Sequence, residues 1–159
     1  MARAKNFHDL IVWQKAMALA RVVYAATQDF PKAEMFGLQS QIRRAVVSIA
    51  ANIAEGHGRL TDMQFRHFLG NARGSLCELQ TELELAHDLN YVSTENFGQI
   101  IQSSIEVARL LNGLISSMSS SPTNSAAKIN PSSANTANPA NTASSANTAS
   151  LVNSAGTKA

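Results

Sequence analysis

The chain has 159 residues, 45% of them hydrophobic, and a formal net charge of +2, which is enough for one core and lacks the global basicity of a histone-like protein. A single cysteine, Cys77, excludes an internal disulfide or a multi-cysteine metal site and points to a reducing compartment. No run approaches the roughly 18 apolar residues of a membrane span, and MARAKNFHDLIVW does not read as an export signal, so a cytoplasmic protein is expected.

The charge is unevenly spread. From Met1 to Arg73 there are ten Lys/Arg against five Asp/Glu, and from Gly74 to Ser120 one Arg against six acids. Such a dipole suits head-to-tail subunit contacts or a local basic patch for an anionic partner.

Apolar spacing predicts four helices. The first runs from about His8 to Gln28, with Leu10, Trp13, Met17, Ala20 and Tyr24 in steps of three and four, and Phe30-Pro31 closes it because a residue before proline is pushed out of the helical region. The second spans Gly37 to Gly56 with Leu38, Ile42, Ala45, Ile49 and Ile53 on one face, and Gly56-His57-Gly58 suits a left-handed helix end. Thr61 caps the third, with Gln64 completing a capping box. Phe65, Leu69, Ala72, Leu76, Leu79, Leu83 and Ala86 then hold a heptad rhythm to a stop near Asn90. Ser93 or Thr94 caps the fourth, whose stripe reads Phe97, Ile101, Ala108, Leu111, Ile115 and Met118. Short connections make each helix antiparallel to the next, so residues 1–118 are expected to form an all-α, up-down-up-down four-helix bundle. Residues 119–159 are Ser, Ala, Asn and Thr with scattered Pro, and are expected to be a disordered tail, with tethering or recognition as its functional alternative.

The second helix carries a further pattern. Gln41, Arg44, Ser48, Asn52 and Glu55 share one face, and amides, hydroxyls and a guanidinium suit a packed polar seam or an anion-contacting surface better than bare solubility. Glu78, on the antiparallel third helix, is placed to pair with Arg43 or Arg44. Arg59, Arg66 and Arg73 are spaced by seven, so Arg66 and Arg73 share a stripe of the third helix and Arg59 just precedes it, a track suited to phosphate contacts. Such arginines equally suit ion pairs between subunits with Glu78, Glu82 or Glu84. Gly70 and Gly74, each costing about 1 kcal/mol relative to Ala inside a helix, call for something to approach that face closely, either a packed helix or subunit or a ligand phosphate beside Arg73 and Ser75.

Enzymatic readings fail on geometry. Cys77 and His87 lie about 15 Å apart along one helix, too far for a nucleophile and its base. Glu84-Leu85-Ala86-His87 matches one Glu-x-x-His element of di-iron bundles, but no second copy exists and both residues fall one step outside the core line. His8, His57 and His67 have no ligand spacing, and Gly56-His57-Gly58 lacks the strand, lysine and hydroxyl of a phosphate-binding loop. No catalytic residue, metal or cofactor is therefore expected.

Several blocks resemble a family of small bacterial four-helix-bundle proteins first recognised as products of intervening sequences in large-subunit ribosomal RNA genes. They are Leu10-Ile11-Val12-Trp13-Gln14-Lys15-Ala16, Phe30-Pro31 with Glu34, Gly37-Leu38 through Gln41-Ile42-Arg43-Arg44-Ala45, Ser48-Ile49 with Asn52-Ile53-Ala54-Glu55-Gly56, and Ala72-Arg73-Gly74-Ser75-Leu76 with Glu78-Leu79. The resemblance covers about residues 6 to 118, and Phe36 stands where a Tyr is common. It implies a homo-oligomeric bundle, with pentameric rings in known relatives and no established enzymatic activity. More distant relatives are accessory proteins of the reverse transcriptases of diversity-generating retroelements. The expected function is a non-catalytic oligomeric module that binds RNA or a ribonucleoprotein partner, with Arg43, Arg44, Arg59, Arg66 and Arg73 as phosphate contacts. The alternative is a purely protein-binding scaffold or accessory subunit of a reverse transcriptase.

Overall fold

A computed structural model describes residues 4–119. Four helices, α1 (Ile11–Ala26), α2 (Leu38–His57), α3 (Asp62–Asp88) and α4 (Thr94–Ser119), are joined with two short 3-10 turns, Phe7–Asp9 and Lys32–Glu34. Each helix packs on its neighbours in the ring α1–α2–α3–α4–α1, and α1 and α3, like α2 and α4, make no backbone approach within 8 Å. This is the expected antiparallel four-helix bundle. Except for Ser119, the tail expected from its sequence lies outside the described residues. Among the described residues no helix is long and apolar enough to cross a membrane.

The helix ends follow from short-range chemistry. Asn6 accepts a hydrogen bond from the His8 amide at 3.0 Å, and Gln14 Nε2 reaches back to the His8 carbonyl at 2.8 Å, so the first residues form a separate turn and α1 begins only at Ile11. Glu34 Oε2 accepts from the Leu38 amide at 2.9 Å and caps α2 from four residues upstream. Thr61 Oγ1 accepts from the Gln64 amide at 3.2 Å, and Ser93 Oγ from the Asn96 amide at 3.2 Å. At the end of α3, Asn90 adopts φ 59°, its amide donating to the His87 carbonyl and that of Tyr91 to the Ala86 carbonyl. That is a Schellman closure, with asparagine tolerating the left-handed conformation. The expected left-handed end of α2 does not form: Gly58 has φ −72° and donates to the Ala54 and Glu55 carbonyls. Glycine is needed two residues earlier instead. A Cβ on Gly56 would lie 2.6 Å from Phe68 Cβ and 2.9 Å from Phe65 Cδ2, so its absence lets α2 and α3 close against one another.

The core line of α3 is the one expected, with all seven residues from Phe65 to Ala86 buried, and in α2 Ile42, Ala45, Ile49 and Ile53 are buried as read. The outer two helices are rotated from their expected phase. In α1 the buried column is Val12, Ala16, Leu19 and Val23, while Trp13 and Met17 are half-buried and Tyr24 is 45% exposed. In α4 the column is Ile100, Ser104, Val107 and Leu111; Phe97, Ile101, Ala108, Ile115 and Met118 flank it half-buried. The buried Ser104 hydroxyl donates to the Ile101 carbonyl at 2.8 Å and accepts from Gln80 Nε2 at 2.8 Å, tying α4 to α3.

Candidate functional site

The polar line on α2 faces α3. Ser48 Oγ lies 2.9 Å from Ser75 Oγ, and Asn52 Nδ2 donates to the Ser48 carbonyl at 2.8 Å and to its hydroxyl at 3.0 Å. Arg44 donates to Gln41, and Arg59 pairs with Glu55. The matching line on α3 is Ser75, Glu78 and Glu82, at the same spacing of three and four. Glu82 was not assigned to this seam from the sequence. Its carboxyl is partly buried, and among the described residues Oε2 has no hydrogen-bond partner. Burial, and then the neighbouring Glu78 charge, push its pKa above the usual 4.5 against the opposing pull of Arg44. The expected ion pair of Glu78 with Arg43 or Arg44 is not formed. Glu78 is exposed and acts on Glu82 by repulsion.

The five arginines divide by what they touch. Arg43 turns to α1: its Nε donates to Thr27 Oγ1 at 2.9 Å, its Nη2 to the Thr27 carbonyl at 3.2 Å and the Tyr24 carbonyl at 3.5 Å, and the guanidinium lies 4.9 Å over the Tyr24 ring. Together with Gln39, which donates to the Thr27 carbonyl, it satisfies the carbonyl end of α1, where a cation is also favoured by the helix dipole. This is a structural clamp that removes Arg43 from the set of free cations. Arg59, besides Glu55, lies 4.7 Å over the Phe68 ring. Arg66 and Arg73 are exposed, and among the described residues neither has an ion-pair or hydrogen-bond partner. Between them lies Gly70. A Cβ there or on Gly74 would meet nothing within 4 Å, so packing inside the bundle gives no reason for either glycine.

The residues weighed for catalysis stay apart. His87 stacks on Phe97 at 4.5 Å between ring centres, with Nε2 3.2 Å from Thr94 Oγ1, while Glu84 and Cys77 are exposed. Among the described residues no group of three His, Cys, Asp or Glu side chains is placed to hold a metal ion.

A second surface was not foreseen. The α1 residues read as core, Trp13, Met17 and Tyr24, line an open groove of ≈ 650 Å³ with Val47 and Ala51 of α2. Among the described residues Arg21 is the only charged one lining it. Phe7 closes one end, its ring 5.2 Å from that of Trp13.

The model of the 23S rRNA-intervening sequence protein family matches residues 8–113, which hold the polar seam, the arginine track and the groove. The chain belongs to this family. A crystal structure of a protein of unknown function from the S23 ribosomal protein family of Bacteroides thetaiotaomicron is 28% identical, with a TM-score of 0.61, over 66% of this chain and 98% of that one. Among proteins of curated function, none matches. This member of the 23S rRNA-intervening sequence proteins thus carries its two distinctive surfaces on different helices, the arginines on α3 and the groove between α1 and α2.

Proposed function

We propose that the chain is a non-catalytic, homo-oligomeric module that binds RNA, free or within a ribonucleoprotein, through Arg66 and Arg73, with Arg59 and Arg44 at the edges. The observation that carries this reading is the exposed pair Arg66 and Arg73, seven residues apart on α3, unpartnered among the described residues, with Gly70 between them. Two turns of helix set them about 10 Å apart along the axis, and a glycine between leaves room for a sugar-phosphate backbone to lie close. The family is named for an intervening sequence of 23S rRNA, which fits an RNA partner without specifying one. For assembly we take five copies, the ring size implied by the resemblance. The groove on α1 and α2 supports the second reading, a protein-binding scaffold or an accessory subunit of a reverse transcriptase.

Replacing Arg66 and Arg73 together by Gln tests the first reading. RNA binding is expected to weaken for unrelated sequences, and the log-log salt slope to fall by about one for each lost contact. Helicity and oligomer mass must stay unchanged, so that a broken interface is told apart. Unaltered affinity and slope remove the pair from the binding surface, and a wild-type protein with no salt-sensitive RNA binding selects the scaffold.

A further inference from the structure

We infer that the groove between α1 and α2 receives the α2–α3 turn of a second copy of this chain, with Leu60 and Met63 entering it and Asp62 meeting Arg21. The inference rests on the homo-oligomer reading above and names the two surfaces that would meet.

The receiving surface is almost wholly apolar, lined by Trp13, Met17, Tyr24, Val47 and Ala51, and among the described residues it holds one charge, Arg21. Among the described residues Arg21 has no acidic partner. Arg21 is exposed in the single chain, so an occupant that covers it together with the apolar wall is favoured if it brings a carboxylate along with its apolar side chains.

The inserted surface has that composition. Leu60 is 96% exposed and Met63 79%, both far outside the range of a side chain that packs within its own chain. Asp62 lies between them at the first residue of α3 and has no cationic partner among the described residues. Two flexible apolar side chains flanking one carboxylate match an apolar groove with one guanidinium.

The other exposed apolar tip, Met35 and Phe36, is the weaker occupant. Met35 lines a recess with Tyr24 and Val47, which also line the groove, so this tip extends the receiving surface. Its acid, Glu34, is already engaged in capping the Leu38 amide. Groove and turn occupy different parts of the surface, so the contact is head-to-tail and repeats from copy to copy, the kind of contact that closes into a ring.

Charge reversal tests the pairing in the full-length chain. Arg21→Glu and Asp62→Arg are each expected to raise the concentration at which the assembly dissociates, read by sedimentation or light scattering, by about tenfold or more. The double variant Arg21→Glu/Asp62→Arg is expected to return it to near the wild-type value. Leu60→Ser/Met63→Ser is expected to dissociate the assembly while leaving helicity and the melting temperature of the dilute protein unchanged, since both side chains are exposed in the single chain. Singles that assemble like wild type, or a double variant no better than the singles, overturn this contact and leave the homo-oligomer standing on another interface. A wild-type chain that is monomeric at every concentration overturns both.

Discussion

Two glycines in adjacent helices are expected to respond to the same substitution with opposite sign. At Gly56 a methyl group would collide with the backbone-proximal Cβ of Phe68 and the ring of Phe65, neither the loose end of a flexible side chain, so Gly56→Ala should destabilise by roughly 1 to 3 kcal/mol. At Gly74 the added Cβ meets open space in a helix interior, so Gly74→Ala should stabilise by roughly 0.5 to 1 kcal/mol. Thermal melts of the two variants decide it, and equal losses would mean that α3 has been rotated wrongly. A loss of RNA binding by a stabilised Gly70→Ala or Gly74→Ala would then belong to the outer surface of α3. Glu82 gives a pH signature. Its proton is held more tightly in the folded state than in the unfolded chain, so stability falls as pH rises through and above 4.5, and the penalty is complete above the folded-state pKa. Glu82→Gln removes that fall. The melting temperature of the variant should therefore gain on wild type between about pH 4 and pH 7, modestly because the carboxyl is only partly buried. A gap that stays constant with pH would mean Glu82 is solvated like a free carboxylate. The line of polar residues on α2 was legible in the sequence, but its partners were not. That Ser48 meets Ser75, or that Arg43 caps the carbonyls of α1, depends on which helix lies alongside.

At the scale of the helix, legibility followed side-chain size. In α3 five of the seven core residues are Phe or Leu, so periodicity placed the buried line, and the Thr61 capping signal placed its start. In α1 the buried column includes Ala16, and small side chains sit where helices approach most closely; the larger Trp13, Met17 and Tyr24 drew the reading toward the groove. In α4 the column is interrupted by Ser104, whose burial is made tolerable by Gln80 and by the Ile101 carbonyl, a pairing no periodic count can see. The phases are testable. Leu76→Ala, Leu83→Ala and Ile100→Ala should each cost roughly 2 to 5 kcal/mol in chemical denaturation, because all three side chains are buried. Ile105→Ala, at a half-exposed position of the same α4, should cost under about 1 kcal/mol. If Ile105 proved the more costly of the α4 pair, the helix would have to be turned back toward the phase read from its larger residues.

For the whole molecule, the arrangement separates two tasks. Arg66 and Arg73, which have no ion-pair or hydrogen-bond partner among the described residues, are on α3, and the apolar groove is on the opposite side of α2, so a copy held through its groove can keep these two arginines facing outward. Repeating that arrangement would multiply weak phosphate contacts by effective concentration, which gives a ring of subunits with a net charge of only +2 each a route to useful affinity without a strongly basic surface. The groove also holds the chain's only tryptophan, Trp13. Its indole is half-buried in the single chain, against the rings of Phe7 and His8, and any occupant of the groove would finish excluding water from it. Intrinsic fluorescence should then shift to shorter wavelength as concentration carries the protein into its assembly, and Arg21→Glu should abolish that shift over the same range. An emission maximum indifferent to the association state would place subunit contacts away from this groove. If the proposed contact forms, Trp13 is an unlabelled optical reporter of assembly, one that can be followed by titration while RNA is added, without modifying a single residue.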